Sequence, residues 1–593
     1  MGDKMAASTD PQWTDFQAVL GVGMSLRSLL SKLSPRPRLY VATAIYGVAG
    51  GGIAVAFHQC IQLLYGSTFE TWAVQSPESF AWRTLALMLA ASLASGVLLH
   101  MAGPSAAGSG IPQLKLAYWK EFGWSSPRIM WVKFVAGALS IGSGMSLGRE
   151  GPSVQMAGTM GSVIATRLGL AKAKHRMPAA AGAAAGLAAA FNTPLAAVTF
   201  VLEEIIGDLN SRFLGNVLMA SVIGALVVHG ALGAEPAFRM EVTNEPGWQV
   251  YVLTPWVAAC ATLAGLLFQR GSLNLRGWSH SQRRLPAWAL PAVGALLTWA
   301  IGMLVWKQTG RLGVFGLGYS DLSDALSGRL AWKLAALLLV AKLLATVLCY
   351  GLGGCGGIFS PTLFFGGMAG LAAAGLGRMV LPLHEGDQVV LAVVGMCACL
   401  GAVVRAPVTG ILIVFEMTHQ FSLVLPLMLG VLVSQAISRR LMRSNFYEEV
   451  LEQDGHHLNR IIPPRDLGAW QQLPASAIAN FHPESLTDLG SESMRAAFDG
   501  HPYANFPVLR GGKVVGVLTR HEMERALLSN AQPEIEPAVT VDPQESVRVI
   551  QSRIIDSRAG MVVLCDDKLA LLGVVTLHDL LRAQLAYGNV GED

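Results

Sequence analysis

The sequence predicts an α-helical polytopic membrane protein of two inverted-topology repeats with broken helices, followed by a C-terminal α/β domain in the aqueous phase. Three observations carry this expectation. The chain has 593 residues, of which 52% are hydrophobic and only 14% charged, where soluble domains carry about 25% charged residues. Apolar stretches long enough to span a bilayer recur along it. Two of those stretches resemble each other and follow similar Gly- and Pro-rich breaks, which in two corresponding halves point to a transport site.

The apolar runs lie at 40–65, 84–102, 179–202, 215–234, 252–268, 286–305, 330–350, 357–380 and 389–415. Lipid offers no hydrogen bonds, so each is expected to be helical. Mean hydropathy is +0.46, and the 65 glycines suit closely packed membrane helices. The seven cysteines fall in or beside apolar segments. Cys397 and Cys399 are read as small core residues, because no neighbouring His or Asp completes a metal shell. The net charge of +4 indicates no particular partner, and no nucleic acid is expected.

Residues 1–39 are expected to be an N-terminal cytoplasmic segment. Within it, 12–34 suggest an amphipathic helix through Trp13, Phe16, Leu20, Leu30 and Leu33, and no secretory signal opens the chain. Positive clusters at 27–38, 270–284 and 439–443 contrast with the Lys- and Arg-poor loops 66–79 and 231–250. Both termini are therefore expected in the cytoplasm. The cluster 172–176 does not obviously fit that scheme.

Residues 40–445 form the expected membrane domain, with repeats at about 40–234 and 252–440. NTPLAAVTFVLE at 192–203 matches RAPVTGILIVFE at 405–416. The breaks GSGIP at 108–112, GREGP at 148–152 and GGIFSP at 356–361 each place glycines before a proline at membrane depth. Proline suits the first helical turn, because its missing N–H would be unpaired there anyway. Glycine lets the preceding backbone turn sharply and approach a ligand. Each break thus reads as a helix start whose free N–H groups and positive dipole end attract an anion without a formal cation. Binding of that kind is weak enough for release.

These motifs, with Tyr447 in NFYEEVL, resemble the CLC chloride channel and transporter family over roughly 40–455. The resemblance implies the CLC fold, a homodimer in the lipid bilayer, and chloride and protons as the transported partners. It implies a chloride-binding set of Ser109, Gly148, Arg149, Glu150, Gly151, Ile358, Phe359 and Tyr447. Ser109 and Tyr447 would act through hydroxyls, and Ile358 and Phe359 through backbone N–H groups. Glu150 matches the gating glutamate and Glu204 the proton glutamate of the exchangers. A carboxylate at a helix N-terminus can occupy an anion's place, and protonation would release it. Arg149 is expected to steer anions at the outer mouth. Glu203 and Glu416, its repeat counterpart, read as structural, with Arg405 or Lys133 as partner of Glu416. Gln113 stands where some exchangers have Glu, and GLGYS at 316–320 is a looser echo of GSGIP.

After about residue 445 charges become dense and the long apolar runs stop. A linker is expected at 446–470. NFPVLRGGKVVGVLTRHEMERAL at 505–527 then resembles GMVVLCDDKLALLGVVTLHDLLRAQ at 560–584. Each reads as strand, turn, strand ending in Thr, then helix, an internal repeat. The two units resemble the CBS pair of many CLC proteins, with one unit at 471–530 and the other at 531–593. Thr576 and Asp579 match positions that hold an adenosine ribose, which implies an adenine nucleotide. Glu522 replaces the usual Asp in the first unit.

The function expected is chloride/proton antiport with no required cofactor, in the cell (inner) membrane. The alternative is a passive voltage- or pH-gated chloride channel, against which Glu204 argues. Ser109 argues against a fluoride exchanger. An intramembrane metalloprotease would need H-E-x-x-H, and neither His384-Glu385 nor His521-Glu522 is followed by the second His. A divalent-cation transporter would need converging acidic groups at membrane depth.

Overall fold

The computed structural model describes residue 30 and residues 32–211, 213–233, 246–282, 284–456 and 471–588. Most of the suggested amphipathic helix at 12–34, the loop 234–245 and the linker 457–470 lie outside the described residues. Two compact units result, dividing at Ile461 and Ile462.

The membrane unit opens with α1 (Pro35–Tyr65) and α2 (Pro77–Ala102), then the short α3 (Ile111–Lys120). α4 (Pro127–Gly142), α5 (Glu150–Arg167) and α6 (Arg176–Phe191) follow. α7 (Pro194–Phe200) runs on as a wider π-helical turn, Val201–Ile206, and α8 (Leu214–Leu232) closes the first half. The second half runs through α9 (Trp248–Ser281), α10 (Leu290–Thr309), the short α11 (Tyr319–Leu326) and α12 (Trp332–Gly351). It ends with α13 (Phe359–Gly377), α14 (Glu385–Val404), α15 (Pro407–Thr418) and α16 (Val424–Leu441).

The halves correspond helix for helix, α1–α8 with α9–α16, and pack alike. α1 meets α6 and α8 as α9 meets α14 and α16, while α2 meets α4 as α10 meets α12. Nine helices among the described residues are long and apolar enough to cross a bilayer. Their burial sorts them: the apolar window of α14 is 94% buried and that of α13 89%, against 33% for α2 and α8. The former make the centre, and the latter turn large apolar side chains such as Trp82 and Leu226 outward, where lipid accepts them. Cys397 and Cys399 are fully buried in α14, as core residues should be.

Two expected continuous runs are broken. The stretch 179–202 divides after Phe191 and 389–415 after Val404, because Pro194 and Pro407 each begin a new helix. Asn192 and Arg405 both turn left-handed, at φ 59°, to end the preceding helix. α3, with 10 residues, is about 15 Å long at 1.5 Å per residue, half a bilayer core. α7, α11 and α15 are short too, so their ends lie inside the protein and need partners.

The partners are exchanged between the halves. Glu416, at the end of α15, accepts from Leu195 N at 3.0 Å and Ala196 N at 2.7 Å, the first turn of α7. Glu203, following α7, accepts from Thr409 N at 3.0 Å and Thr409 Oγ1 at 2.8 Å, the first turn of α15. The expected pairing of Glu416 with Arg405 or Lys133 is therefore wrong. Arg405 donates instead to the carbonyls of Ser438, Met442 and Arg443. Lys133 donates to Ala106 O and Gly108 O. A carboxylate here meets free N–H groups and the positive dipole end together, a better match than a distant cation.

α17 (Phe446–Gln453) falls within the expected linker but belongs to the membrane unit and packs on α3. Asn445 caps it, accepting from Glu448 N at 2.9 Å.

In the aqueous unit each sequence repeat gives the expected order. The first comprises α18 (Ser491–Gly500), β1 (Asn505–Arg510), β2 (Lys513–Thr519) and α19 (Arg520–Ser529). The second comprises β3 (Thr540–Val541), α20 (Val547–Asp556), β4 (Met561–Cys565), β5 (Leu571–Thr576) and α21 (Leu577–Gly588). β1 pairs antiparallel with β2, and β4 with β5, each with one irregularity, at Val508/Leu509 and Leu564/Cys565. The repeats also exchange edge residues: Asn480 bridges Val574, and Glu536 bridges Val517. The pair is thus one interlocked body rather than two beads.

Removing either exchanged cap, by Glu416→Ala or Glu203→Ala, should destabilise the membrane unit by about 1–2 kcal/mol, the cost of losing a charge-assisted helix cap. Thermal unfolding in detergent measures this. An unchanged midpoint for both variants would show that the caps do not hold the halves together.

Candidate functional site

The three Gly-rich breaks meet at one place. Gly148 N donates to Gly357 O at 2.7 Å, and Gly357 N returns a bond to Gly148 O at 2.5 Å. Gly356 N donates to Gly108 O at 3.2 Å. This stitch brings GSGIP, GREGP and GGIFSP together and starts α5 and α13 beside each other. Glycine is obligatory in it: a Cβ on Gly151 would stand 2.6 Å from Ser109 Oγ, and one on Gly357 would stand 2.9 Å from Gly151 N.

Two fully buried lysines hold the breaks from behind. Lys133 on α4 donates to Ala106 O at 2.9 Å and Gly108 O at 2.5 Å. Lys342 on α12 donates to Val314 O at 3.3 Å and Gly316 O at 2.6 Å. Gly108 opens GSGIP and Gly316 opens GLGYS, so the echo in the sequence is a structural equivalence. Gly110 and Gly318 both take left-handed φ, 94° and 76°, directly before α3 and α11. Leu317 stands at the position of Ser109, so only the first half presents a hydroxyl there.

Glu150 is the first residue of α5 and is completely buried. Its Oε1 accepts from Ser360 Oγ at 2.5 Å and Tyr319 OH at 2.8 Å, and its Oε2 from Ser360 N at 3.4 Å. The carboxylate of one half thus sits at the N-terminus of the other half's helix α13, where Ile358 is the cap and Phe359 the first helical residue. Arg149 Nε lies 3.8 Å from Glu150 Oε1, and the guanidinium donates to Ala190 O at 3.1 Å. The Arg149 side chain is 12% exposed.

Ser109 and Tyr447 are fully buried. The Tyr447 phenol lies near Ser109, Tyr350 and Glu204. Neither hydroxyl has a hydrogen-bond partner at bonding distance among the described residues. Orphaned buried hydroxyls are costly, and two neutral O–H donors beside a helix N-terminus suit an anion.

Glu204 lies near the Tyr447 phenol and has partners of its own. It is buried, not solvated at an interface, in the π-helical turn after α7. Lys115 Nζ lies 2.9 Å from its Oε1, and Asn445 Nδ2 donates to its Oε2 at 3.1 Å. Glu203, its neighbour, is the cap already described.

Sequence reasoning missed Tyr319, Ser360, Lys115 and Asn445. Ser360 and Tyr319 stood inside quoted motifs, GGIFSP and GLGYS, but only the fold turns them toward Glu150. Lys115 was visible as a cation three residues after GSGIP.

In the aqueous unit, Thr576 and Asp579 bond each other. Thr576 N and Oγ1 donate to Asp579 Oδ2 at 2.9 and 2.7 Å, which starts α21. Asp579 lines a cleft of ≈ 550 Å³ with Ala479, Asn480 and Arg582. Glu522, its counterpart, is instead engaged by Arg525 and Glu534 N.

Known proteins agree with this geometry. The family model for voltage-gated chloride channels matches residues 87–439, and the CBS-domain model matches 534–586, the second aqueous repeat. The H(+)/Cl(-) exchange transporter ClcA of Vibrio cholerae is 31% identical over 446 residues, 72% of this chain and 92% of that protein. The crystal structure of a slow cyanobacterial Cl-/H+ antiporter is similar with a TM-score of 0.62 at 26% identity, over 71% of this chain and 98% of that one. A eukaryotic CLC transporter shares the fold at 20% identity and a TM-score of 0.60, over 93% of this chain and 98% of its own. This chain therefore belongs to the voltage-gated chloride channel (CLC) family and carries a C-terminal CBS pair.

Proposed function

We propose that this protein exchanges chloride for protons across a cell (inner) membrane, as a homodimer with both termini in the cytoplasm. One observation carries the reading. The buried Glu150 carboxylate is lodged between two helix starts, accepting the hydrogen bonds a transported anion would accept. Beside it Ser109 and Tyr447 offer unpaired hydroxyls, and Ile358 and Phe359 offer N–H groups free of intrahelical bonds. Gly148 and Gly151 leave room for that approach, and Arg149 adds positive potential.

Exchange follows from electrostatics. An ionised Glu150 offsets the positive ends of two helices and blocks the path. Protonation removes its charge, the offset is lost, and chloride becomes the favoured occupant. Proton uptake and chloride entry are thus two halves of one event. Glu204 is the second proton station, buried and held by Lys115 and Asn445. A passive channel has no need of such a group.

The cluster 172–176 supports the orientation after all. Arg176 donates to Tyr118 O and Trp119 O, and the Trp119 indole donates to Ile205 O, next to Glu204. The cluster therefore lies at the Glu204 end, the cytoplasmic one in this reading, where Lys and Arg collect.

The CBS pair is proposed to bind an adenine nucleotide through Thr576 and Asp579. The cleft volume lies within the roughly 300–1,000 Å³ usual for ligand sites.

Simultaneous chloride and proton flux from purified protein in liposomes tests the exchange. Wild type should drive protons uphill in a chloride gradient. Glu150→Gln and Glu204→Gln should each cut proton flux about a hundredfold or more, as expected for loss of a positioned proton carrier, while chloride still moves. Glu204→Gln should keep some pH dependence, because it leaves the Glu150 carboxyl in place. Uphill proton pumping by either variant would refute its role, and a wild type that moves no protons would favour the channel. For the nucleotide, calorimetry on the full chain with AMP, ADP and ATP should give binding that Asp579→Ala abolishes. No heat with any of the three would refute the site.

A further inference from the structure

Glu204 has two oxygens and both are engaged. Asn445 holds Oε2 at 3.1 Å and Lys115 holds Oε1 at 2.9 Å. An amide cannot relay a proton, so Lys115 is the one titratable group at hydrogen-bond distance from Glu204 among the described residues. Its ammonium has a second acceptor, Glu448 Oε1, at 3.3 Å. Burial runs in one direction along this chain of groups. The side chain of Glu204 is 4% exposed, that of Lys115 6%, and that of Glu448 31%. Glu448 is therefore the solvent-facing end of the row.

Asn445 fixes the arrangement. Its Oδ1 caps α17 by accepting from Glu448 N, while its Nδ2 clamps Glu204. Tyr447 lies on the same helix turn near Glu204, and Arg405 adds a second positive charge near Glu448. Glu204, Lys115 and Glu448 together carry one net negative charge, so the row accepts one proton without building up positive charge.

We propose that Glu448 is the carrier through which the transported proton enters from the solution at the Glu204 end, and that Lys115 passes it on while positioning both carboxylates. Lys115 gives one of its protons to Glu204 Oε1, and the neutral amine that results takes the proton of protonated Glu448. The ammonium regains its charge, the negative charge moves from Glu204 to Glu448, and no other atom changes hands. Glu448 then takes another proton from solvent. This deepens the exchange reading and rests on it.

The test is Glu448→Gln, which keeps shape and hydrogen-bonding capacity but cannot carry a proton, with Glu448→Asp as the conservative variant. Both are compared with wild type and Glu204→Gln in liposomes, with proton and chloride flux recorded against the pH of the Glu204-side solution. Glu448→Gln is expected to lower proton flux about tenfold, less than the roughly hundredfold or more that a fully positioned carrier contributes because solvent reaches this end of the row, while chloride continues with fewer protons per chloride. Glu448→Asp should retain coupling. A purely structural defect would instead lower both fluxes together, and that outcome overturns the proposal. So does a wild-type ratio in Glu448→Gln at every pH, when Glu204→Gln is uncoupled. A wild type that moves no protons overturns the exchange reading and this inference together.

Discussion

The two hydrogen bonds between Gly148 and Gly357 are the constraint on which the membrane unit depends. They join the loops ahead of α5 and α13, one from each half, and so bring two positive helix ends together in a low-dielectric interior. Each end carries roughly half an elementary charge. Their mutual repulsion must be offset, and here the Glu150 carboxylate offsets it from a position accepting three hydrogen bonds. The same geometry that makes the carboxylate necessary makes an anion its natural replacement. In the proposed exchange, gating and binding are two occupancies of one electrostatic arrangement.

The rest of the unit serves to make that meeting affordable. Helices in lipid gain little from burying apolar surface against each other, so packing and satisfied polar groups hold them. The breaks leave carbonyls and N–H groups unpaired in the interior. Lys133 and Lys342 supply the donors to Gly108 O and Gly316 O, and Glu416 and Glu203 supply the acceptors to α7 and α15. Every one of these devices occurs twice, once per half, and the glutamates act across the boundary. The site departs from that symmetry where chemistry is needed: Ser109 against Leu317, Glu150 against Phe359, and the added helix α17 carrying Tyr447.

The sequence made the fold legible because its signals are local. Apolar run length, proline at helix starts and glycine before them located most of the spanning helices and the three starts at Ile111, Glu150 and Phe359, but α16 (Val424–Leu441) fell in none of the expected runs although it lies in a segment apolar enough to span. The breaks at Asn192 and Arg405 were hidden inside apolar runs, since left-handed termination by Asn or Arg leaves no mark in hydropathy. Ser109, Glu150 and Tyr447 could be named through the family resemblance, but what surrounds them could not. Tyr319 lies 169 residues from Glu150 in the chain and Ser360 lies 210 away. Glu416 was assigned a cation as partner because charge pairing is what a sequence suggests. The structure gives it backbone N–H groups, which no sequence displays.

The central claim is that Glu150 occupies an anion's place, and anomalous scattering from crystals grown in bromide tests it most directly. Wild type should show bromide beside the Ser109 and Tyr447 hydroxyls and the start of α13, with none at the carboxylate. Glu150→Gln should show that bromide and a second one where the carboxylate now accepts from Ser360 and Tyr319. Bromide away from these groups in both proteins, or the same single position in both, would contradict the account.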